Sequence, residues 1–198
     1  VTTGEWIFDL DSDEYISDEL REEIRAIVNN PSMDPMVAYD IARKAVMNGR
    51  VIEYAHFYPD LYTRLYHKKS GIIFKKGKKV HEKLFIPEGV VIKRLQGCVY
   101  APWKSYEEQI KKDNYYLQLA AGNVTEQKTL RIRFNLFRSA IKNVLTAAYI
   151  GLKASCIYFC HGFKKMLPVK YTWRFMRYHF IMGKIRLMQG VNKKNPVS

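Results

Sequence analysis

The chain is 198 residues long, 47% hydrophobic and 14% aromatic, with a formal charge of +14 at pH 7. Such a composition is enough for a packed core, and the aromatic content excludes wholesale intrinsic disorder. The excess of Lys and Arg points to anionic partners: RNA, DNA or an acidic membrane surface.

The first 40 residues hold eleven acids and two bases. "GEWIFDLDSDEYISDELREEIRAIVNN" opens on a short apolar stretch and continues as a helix. Ser17 is its N-cap, and Asp18 and Glu19 lie in the first turn, where the helix dipole favours negative charge. Leu20, Ile24 and Ile27 form a narrow apolar stripe, and Asn29-Asn30-Pro31 ends the helix. In "DPMVAYDIARKAVMNGR", Asp34 caps, Pro35 takes the first helical position and Gly49 follows the end. Val37, Ile41 and Ala45 recur at i, i+4, so a second helix is expected. "VIEYAHFYPDLYTRLYHKK" also has a helical period, interrupted by Pro59, with Tyr54, Phe57, Tyr58, Tyr62 and Tyr66 as an aromatic block.

The pattern then changes. Short β-branched runs between Gly and Pro predict a hairpin, about Ile72–Phe74 against Val80–Ile86, with "KKGKK" at its tip and a third strand over Val90–Arg94. Ser105 caps a helix over "YEEQIKKDNYYLQLAAG" that ends at Gly122, and Thr125 is a candidate cap for the next. Pro168 separates that long helix from a last one, "VKYTWRFMRYHFIMGKIRLMQG". The expected fold is α+β in class, mainly α-helical with a small central antiparallel β-hairpin element. Four regions follow: an acidic helical segment over 1–50, an aromatic helix and basic hairpin over 51–126, a basic helical region over 127–190, and a flexible tail over 191–198.

Residues 127–198 contain fifteen bases and no acid. A membrane-spanning helix needs roughly 20 apolar residues with few charges. Lys142, Lys153 and Lys164 interrupt the run, so no transmembrane helix is expected. On a helical wheel Lys128, Arg131, Arg138, Lys142 and Lys153 fall within an arc of about 80°, and so do Lys170, Arg174, Arg177 and Lys184. Trp173, Phe175, Tyr178 and Phe180 are interleaved with the second set. A merely solvated face usually mixes Glu with Lys, because i,i+4 pairs stabilise it. Neither ridge has a Glu, so contact with phosphates is the expectation. Lys75, Lys76, Lys78 and Lys79 of the hairpin tip would extend that nucleic-acid-binding surface.

Catalytic motifs are sparse. Asp9 and Asp11 in "FDLDSDE" alternate as paired carboxylates do at a Mg²⁺ site, but a calcium loop would need Gly and Glu where Glu14 and Leu20 stand. "CIYFCH" places Cys156 and Cys160 on one helix face beside His161, without the second ligand pair that structural zinc needs. Two buried thiols are the plainer reading there. His56, Asp60 and Glu82 do not have nuclease spacing. With Cys98, the three cysteines are too few for a disulfide framework and suit a reducing compartment. The acidic N-terminus does not read as a secretion signal.

The sequence therefore predicts a non-enzymatic subunit of a nucleoprotein assembly, nucleocapsid-like or ribosomal-type. It would need no metal or other cofactor, bind nucleic acid with RNA favoured, and make protein contacts, including self-association, through its acidic N-terminus. Two other readings are a peripheral membrane or matrix-type scaffold on acidic lipid, and a metal-dependent enzyme using Asp9 and Asp11.

Overall fold

The structure is a computed structural model that describes residues 4–75, 83–122 and 130–191. The chain divides into two compact units, one of 1–51 with 59–103 and one of 52–58 with 104–198.

The first unit is built on a curled, mixed six-stranded sheet. Its strands are β1 (Trp6–Phe8), β2 (Tyr15–Ile16), β3 (Val37–Met47), β4 (Arg50–Val51), β5 (Leu61–His67) and β8 (Val91–Pro102). Their order is β1-β5-β3-β8-β2, with β4 paired to β3. The pair β3–β8 is parallel and the other pairs are antiparallel. Helix α1 (Asp18–Val28) packs against β8. Ser17 caps α1 by accepting a hydrogen bond from Leu20 N at 3.2 Å, as its sequence predicts.

Leu20 reaches the sheet because Gly97 of β8 has no side chain; a Cβ there would stand 2.3 Å from Leu20 N. Leu20, Ile41, Leu65 and Val99 are almost fully buried in the resulting core. Each contributes roughly 1.5–3 kcal/mol by leaving water.

The mainly helical expectation is overturned: the described residues are about 49% helix and 25% strand. Two predicted helices contain strands instead. The first is Val37–Met47, now β3, which lies between β5 and β8 in the sheet. A strand with neighbours on both edges and both faces covered loses the strict polar alternation that would reveal it. What ends it is Asn48-Gly49, both at positive φ (50° and 74°), a two-residue hairpin turn into β4. The second is Leu61–His67, now β5, which pairs with β1 and β3.

The expected hairpin does form its pairing. Strands β6 (Ile73–Lys75) and β7 (Lys83–Phe85) are antiparallel, with Phe74 opposite Leu84, in a separate two-stranded sheet. The "KKGKK" tip lies largely outside the described residues. The third predicted strand is the start of β8.

The second unit contains three helices: α2 (Tyr106–Gly122), α3 (Leu130–His161) and α4 (Val169–Gly190). Ser105 and Glu108 exchange hydrogen bonds at the start of α2, a capping box. The proposed cap Thr125 lies outside the described residues. Helices α3 and α4 pack through small residues. Ala140, Ala147 and Ala154 of α3 are buried, and a Cβ on Gly183 of α4 would stand 3.2 Å from Ala140 O. Leu117, Ala121 and Ile185 form the core between α2 and α4. Residues 52–58 run beside the α3–α4 connection, where Tyr54 O accepts from Leu167 N at 3.0 Å and Tyr54 stacks on His161 at 3.9 Å.

Among the described residues, α3 is the one helix long and apolar enough to cross a membrane by length and composition alone, and 17% of its most apolar window is buried. With Lys142 and Lys153 inside it, it does not establish a span, in keeping with the sequence expectation.

Candidate functional site

The acidic loop after β1 is the most organised polar feature of the first unit. β1 runs antiparallel to β5, with Phe8 opposite Leu65, and Asp9 N donates to Arg64 O at 2.8 Å. Beyond it the chain turns back through Asp9–Glu14, held by Arg64. The Arg64 Nη1 donates to Asp9 O at 3.1 Å and to Glu14 Oε2 at 2.6 Å, and Nη2 donates to Glu14 Oε1 at 2.9 Å. The two side chains are 7% and 2% exposed. Glu14 Oε2 also accepts from Asp11 N at 3.2 Å, and Glu14 N donates to Asp11 O at 3.0 Å. A buried carboxylate with a bidentate guanidinium and an amide donor has its charge and lone pairs satisfied.

That clamp sorts the four acids of the loop. Glu14 is structural. Asp9 is half-buried, and its charge, after burial, helps raise the pKa of the Tyr66 hydroxyl. Asp11 and Asp13 are exposed to solvent. A second polar group stands on the neighbouring strands. Arg43 Nε donates to Asp60 Oδ2 at 3.0 Å, and its Nη2 donates to the Tyr62 hydroxyl at 3.1 Å. The guanidiniums of Arg43 and Arg64 lie 4.7 and 5.5 Å from the centre of the Tyr62 ring. Burial works against the charge on Arg43, but Asp60, Tyr62 and Glu14 outweigh it and hold its pKa above the usual value. Burial raises the pKa of the Tyr62 hydroxyl, with Arg43 pulling the other way and Asp60 adding to the rise.

No group of three or more His, Cys, Asp or Glu side chains among the described residues could hold a metal ion. All three cysteines are free; Cys98 is buried, whereas Cys156 and Cys160 are exposed on α3 rather than packed in a core. Of the nuclease candidates, Asp60 is engaged by Arg43, and Glu82 lies outside the described residues.

The predicted basic residues have varied surroundings. Lys76, Lys78, Lys79 and Lys128 lie outside the described residues, and Lys75 is placed only by its backbone pairing with Lys83. Arg131, Arg138, Lys142 and Lys184 are exposed. Lys153 Nζ donates to Tyr58 O at 3.2 Å. Lys170 Nζ stands 5.3 Å from the centre of the Tyr106 ring. Arg177 is half-buried. Arg174 is drawn inward, 7% exposed, and bound to Asp113 and Gln109.

Arg43, Arg64, Asp60 and Tyr62 were not foreseen as a polar group. Arg64 and Glu14 are 50 residues apart, and a pairing across that distance leaves no local signal. The alternation in "LYTRLYH" was the available hint, since it marks a strand that points Tyr62 and Arg64 to one face.

No protein-family profile matches the chain. Curated relatives do, among them two from Rickettsia. One is an uncharacterized glycosyltransferase of Rickettsia prowazekii (strain Madrid E), 24% identical over 81% of this chain and 55% of its own length. The other is an uncharacterized glycosyltransferase of Rickettsia typhi (strain ATCC VR-144 / Wilmington), 25% identical over the same shares. The chain thus spans about half the length of the curated relatives it matches. These names overturn the RNA-binding, nucleocapsid-like and non-enzymatic expectations and point to an enzyme. The charge of 127–198 misled because a basic helix face is not specific to phosphates on a nucleic acid.

Proposed function

We propose that this chain forms part of a glycosyltransferase, an enzyme that moves a sugar from an activated donor to an acceptor. The observation that carries the reading is the similarity to two glycosyltransferases over 81% of the chain. The organised acidic loop, with two exposed carboxylates, supports that reading.

Glycosyl transfer breaks the bond between the anomeric carbon and its leaving group and forms one to an acceptor oxygen. The acceptor proton must go to a base, and the negative charge on the leaving group must be neutralised. Asp11 and Asp13 are the exposed carboxylates of the loop, while the Glu14–Arg64 pair fixes the backbone that carries them. Magnesium is commonly bound by one or two carboxylates together with substrate phosphates. Asp11 and Asp13 therefore suit a cation that arrives on a nucleotide-diphosphate donor, even though no all-protein metal cage exists among the described residues. When bound, that cation would neutralise charge on the leaving diphosphate.

The test is nucleotide release from a panel of nucleotide sugars, with magnesium or manganese, by the protein that contains this chain. Asp11→Asn and Asp13→Asn should each lower the rate by about 10²-fold, with circular dichroism unchanged. Absence of release from every donor, or full rates in both variants, would overturn the reading.

A further inference from the structure

Helix α3 packs with one side and leaves the other, which is equally apolar, in solvent. Ala140, Ala147, Ile150 and Ala154 are buried. Phe134, Ile141, Leu145 and Leu152 are 66%, 45%, 63% and 70% exposed. At 100° per residue those four exposed side chains share an arc of about 40°, on the side away from the buried four. Leu130 and Phe159, 85% and 93% exposed, extend the stripe toward both ends of the helix. The 32 residues of α3 span roughly 48 Å at 1.5 Å per residue. Phe180, Lys184 and Leu187 of α4 continue the surface, lining with Phe137, Ile141 and Leu145 an open groove of ≈ 410 Å³. A contiguous apolar surface of this kind is rare on a soluble monomer and marks an interaction site.

The charges around the stripe identify what it meets. Arg131, Arg138 and Lys142 fall beside it, within an arc of about 40°, and Lys184 borders the groove. From 127 to 198 there is no Asp or Glu. Two copies of this surface facing each other would oppose these bases with no carboxylate to answer them. An acidic lipid surface supplies headgroup charge for the bases and an acyl boundary for the stripe, the pattern of helices that lie in the membrane interface. Trp173, 56% exposed on α4, is the side-chain type that such interfaces favour. Lys142 and Lys153 within α3, and the packing of its other side on α4, suit a helix that lies on the membrane rather than through it.

We propose that the outer face of α3 and α4 is a docking surface for an acidic lipid bilayer, by which the protein attaches peripherally. This goes beyond the glycosyltransferase reading, and its test needs no donor sugar, so either can fail without the other.

The experiment is flotation of the full chain with phosphatidylcholine vesicles made with and without phosphatidylglycerol. Binding is expected with the acidic vesicles and weakens as salt rises. The charge reversal Arg138→Glu with Lys142→Glu should weaken it roughly tenfold or more, as should Leu145→Asp with Leu152→Asp. Should the aspartate variant not fold, the unaltered chain still decides the matter: brominated acyl chains should quench its fluorescence, and Trp173→Phe should remove most of the quenching. No flotation at low salt overturns the proposal. So does equal flotation on both vesicle types, or flotation unchanged in folded variants. A dimer in solution that the aspartates split, with no vesicle binding, assigns the face to a second copy instead and also overturns it.

Discussion

The Arg174 guanidinium meets the Asp113 carboxylate through two hydrogen bonds, Nε to Oδ2 at 2.6 Å and Nη2 to Oδ1 at 3.1 Å. Gln109 Oε1 accepts a third, from Nη1 at 2.7 Å. Asp113 is the buried charge of α2 and Arg174 that of α4, so the pair ties the two helices at a fixed register. Neither side chain is more than 10% exposed.

Removing one partner leaves the other charge buried and unanswered. Arg174→Met and Asp113→Ala should therefore each destabilise the protein by roughly 3–5 kcal/mol. Replacing both at once with apolar residues should cost much less, because no orphan charge remains. Urea unfolding of the two single variants and the double variant measures the coupling directly. Additive losses would show that the pair is not the unit described here.

Gly97 tests the packing of the first unit. An added Cβ would stand 2.3 Å from Leu20 N and 2.4 Å from Leu20 Cα. Both are backbone atoms of α1, so no side chain can swing away to make room. Gly97→Ala must push α1 off β8 and open the contact that buries Leu20. A loss of several kcal/mol is expected, above the ~1–3 kcal/mol usual for overpacking, read as a lower midpoint in urea. By contrast, Gly122→Ala at the end of α2, where nothing lies within 4 Å, should leave the midpoint within about 1 kcal/mol.

Local chemistry was legible where it decided the outcome locally. Ser17 and the Ser105–Glu108 capping box gave the starts of α1 and α2, and Pro168 gave the start of α4. Strand β3 was not legible from its ends, because Pro35 before and Gly49 after punctuate a helix and a strand alike. Its state was settled by pairing with β5 and β8, whose residues lie far along the chain. Asn48-Gly49 was the signal that could have corrected the reading. On α3 the basic ridge was visible in the period, and the face opposite it, which holds Ile150, is the one that packs. That packing depends on Gly183 of α4 admitting the alanine side of α3, and it leaves the apolar stripe, not only the bases, in solvent. In the acidic loop the alternation of Asp9 and Asp11 drew attention to a pair, while Arg64 made Glu14 structural and left Asp11 and Asp13 as the exposed carboxylates.

His56 gives the second unit a pH dependence with a definite sign. Its ring meets Phe57 at 5.1 Å and Phe175 at 4.7 Å, both edge to face, and the side chain is 7% exposed. Burial pushes its pKa from 6.5 down to about 4, and the nearby charges of Lys153, His179 and Arg174 push the same way. Above pH 6.5 the folded and unfolded chains both carry His56 neutral, and it adds no pH dependence. As the pH falls below 6.5 the unfolded chain takes a proton that the folded chain refuses, so stability declines until the pH approaches about 4. The loss from this residue is of the order of 1–3 kcal/mol. His179, whose pKa burial also lowers against the opposing pull of Asp113, contributes in the same direction. Unfolding free energies in urea, measured at intervals from neutral to mildly acid pH, should show the decline. His56→Phe should flatten much of it, because a phenyl ring takes no proton and suits the same aromatic surroundings. If the variant loses stability with acid as steeply as the parent, the pH dependence lies elsewhere and His56 is not buried neutral as described.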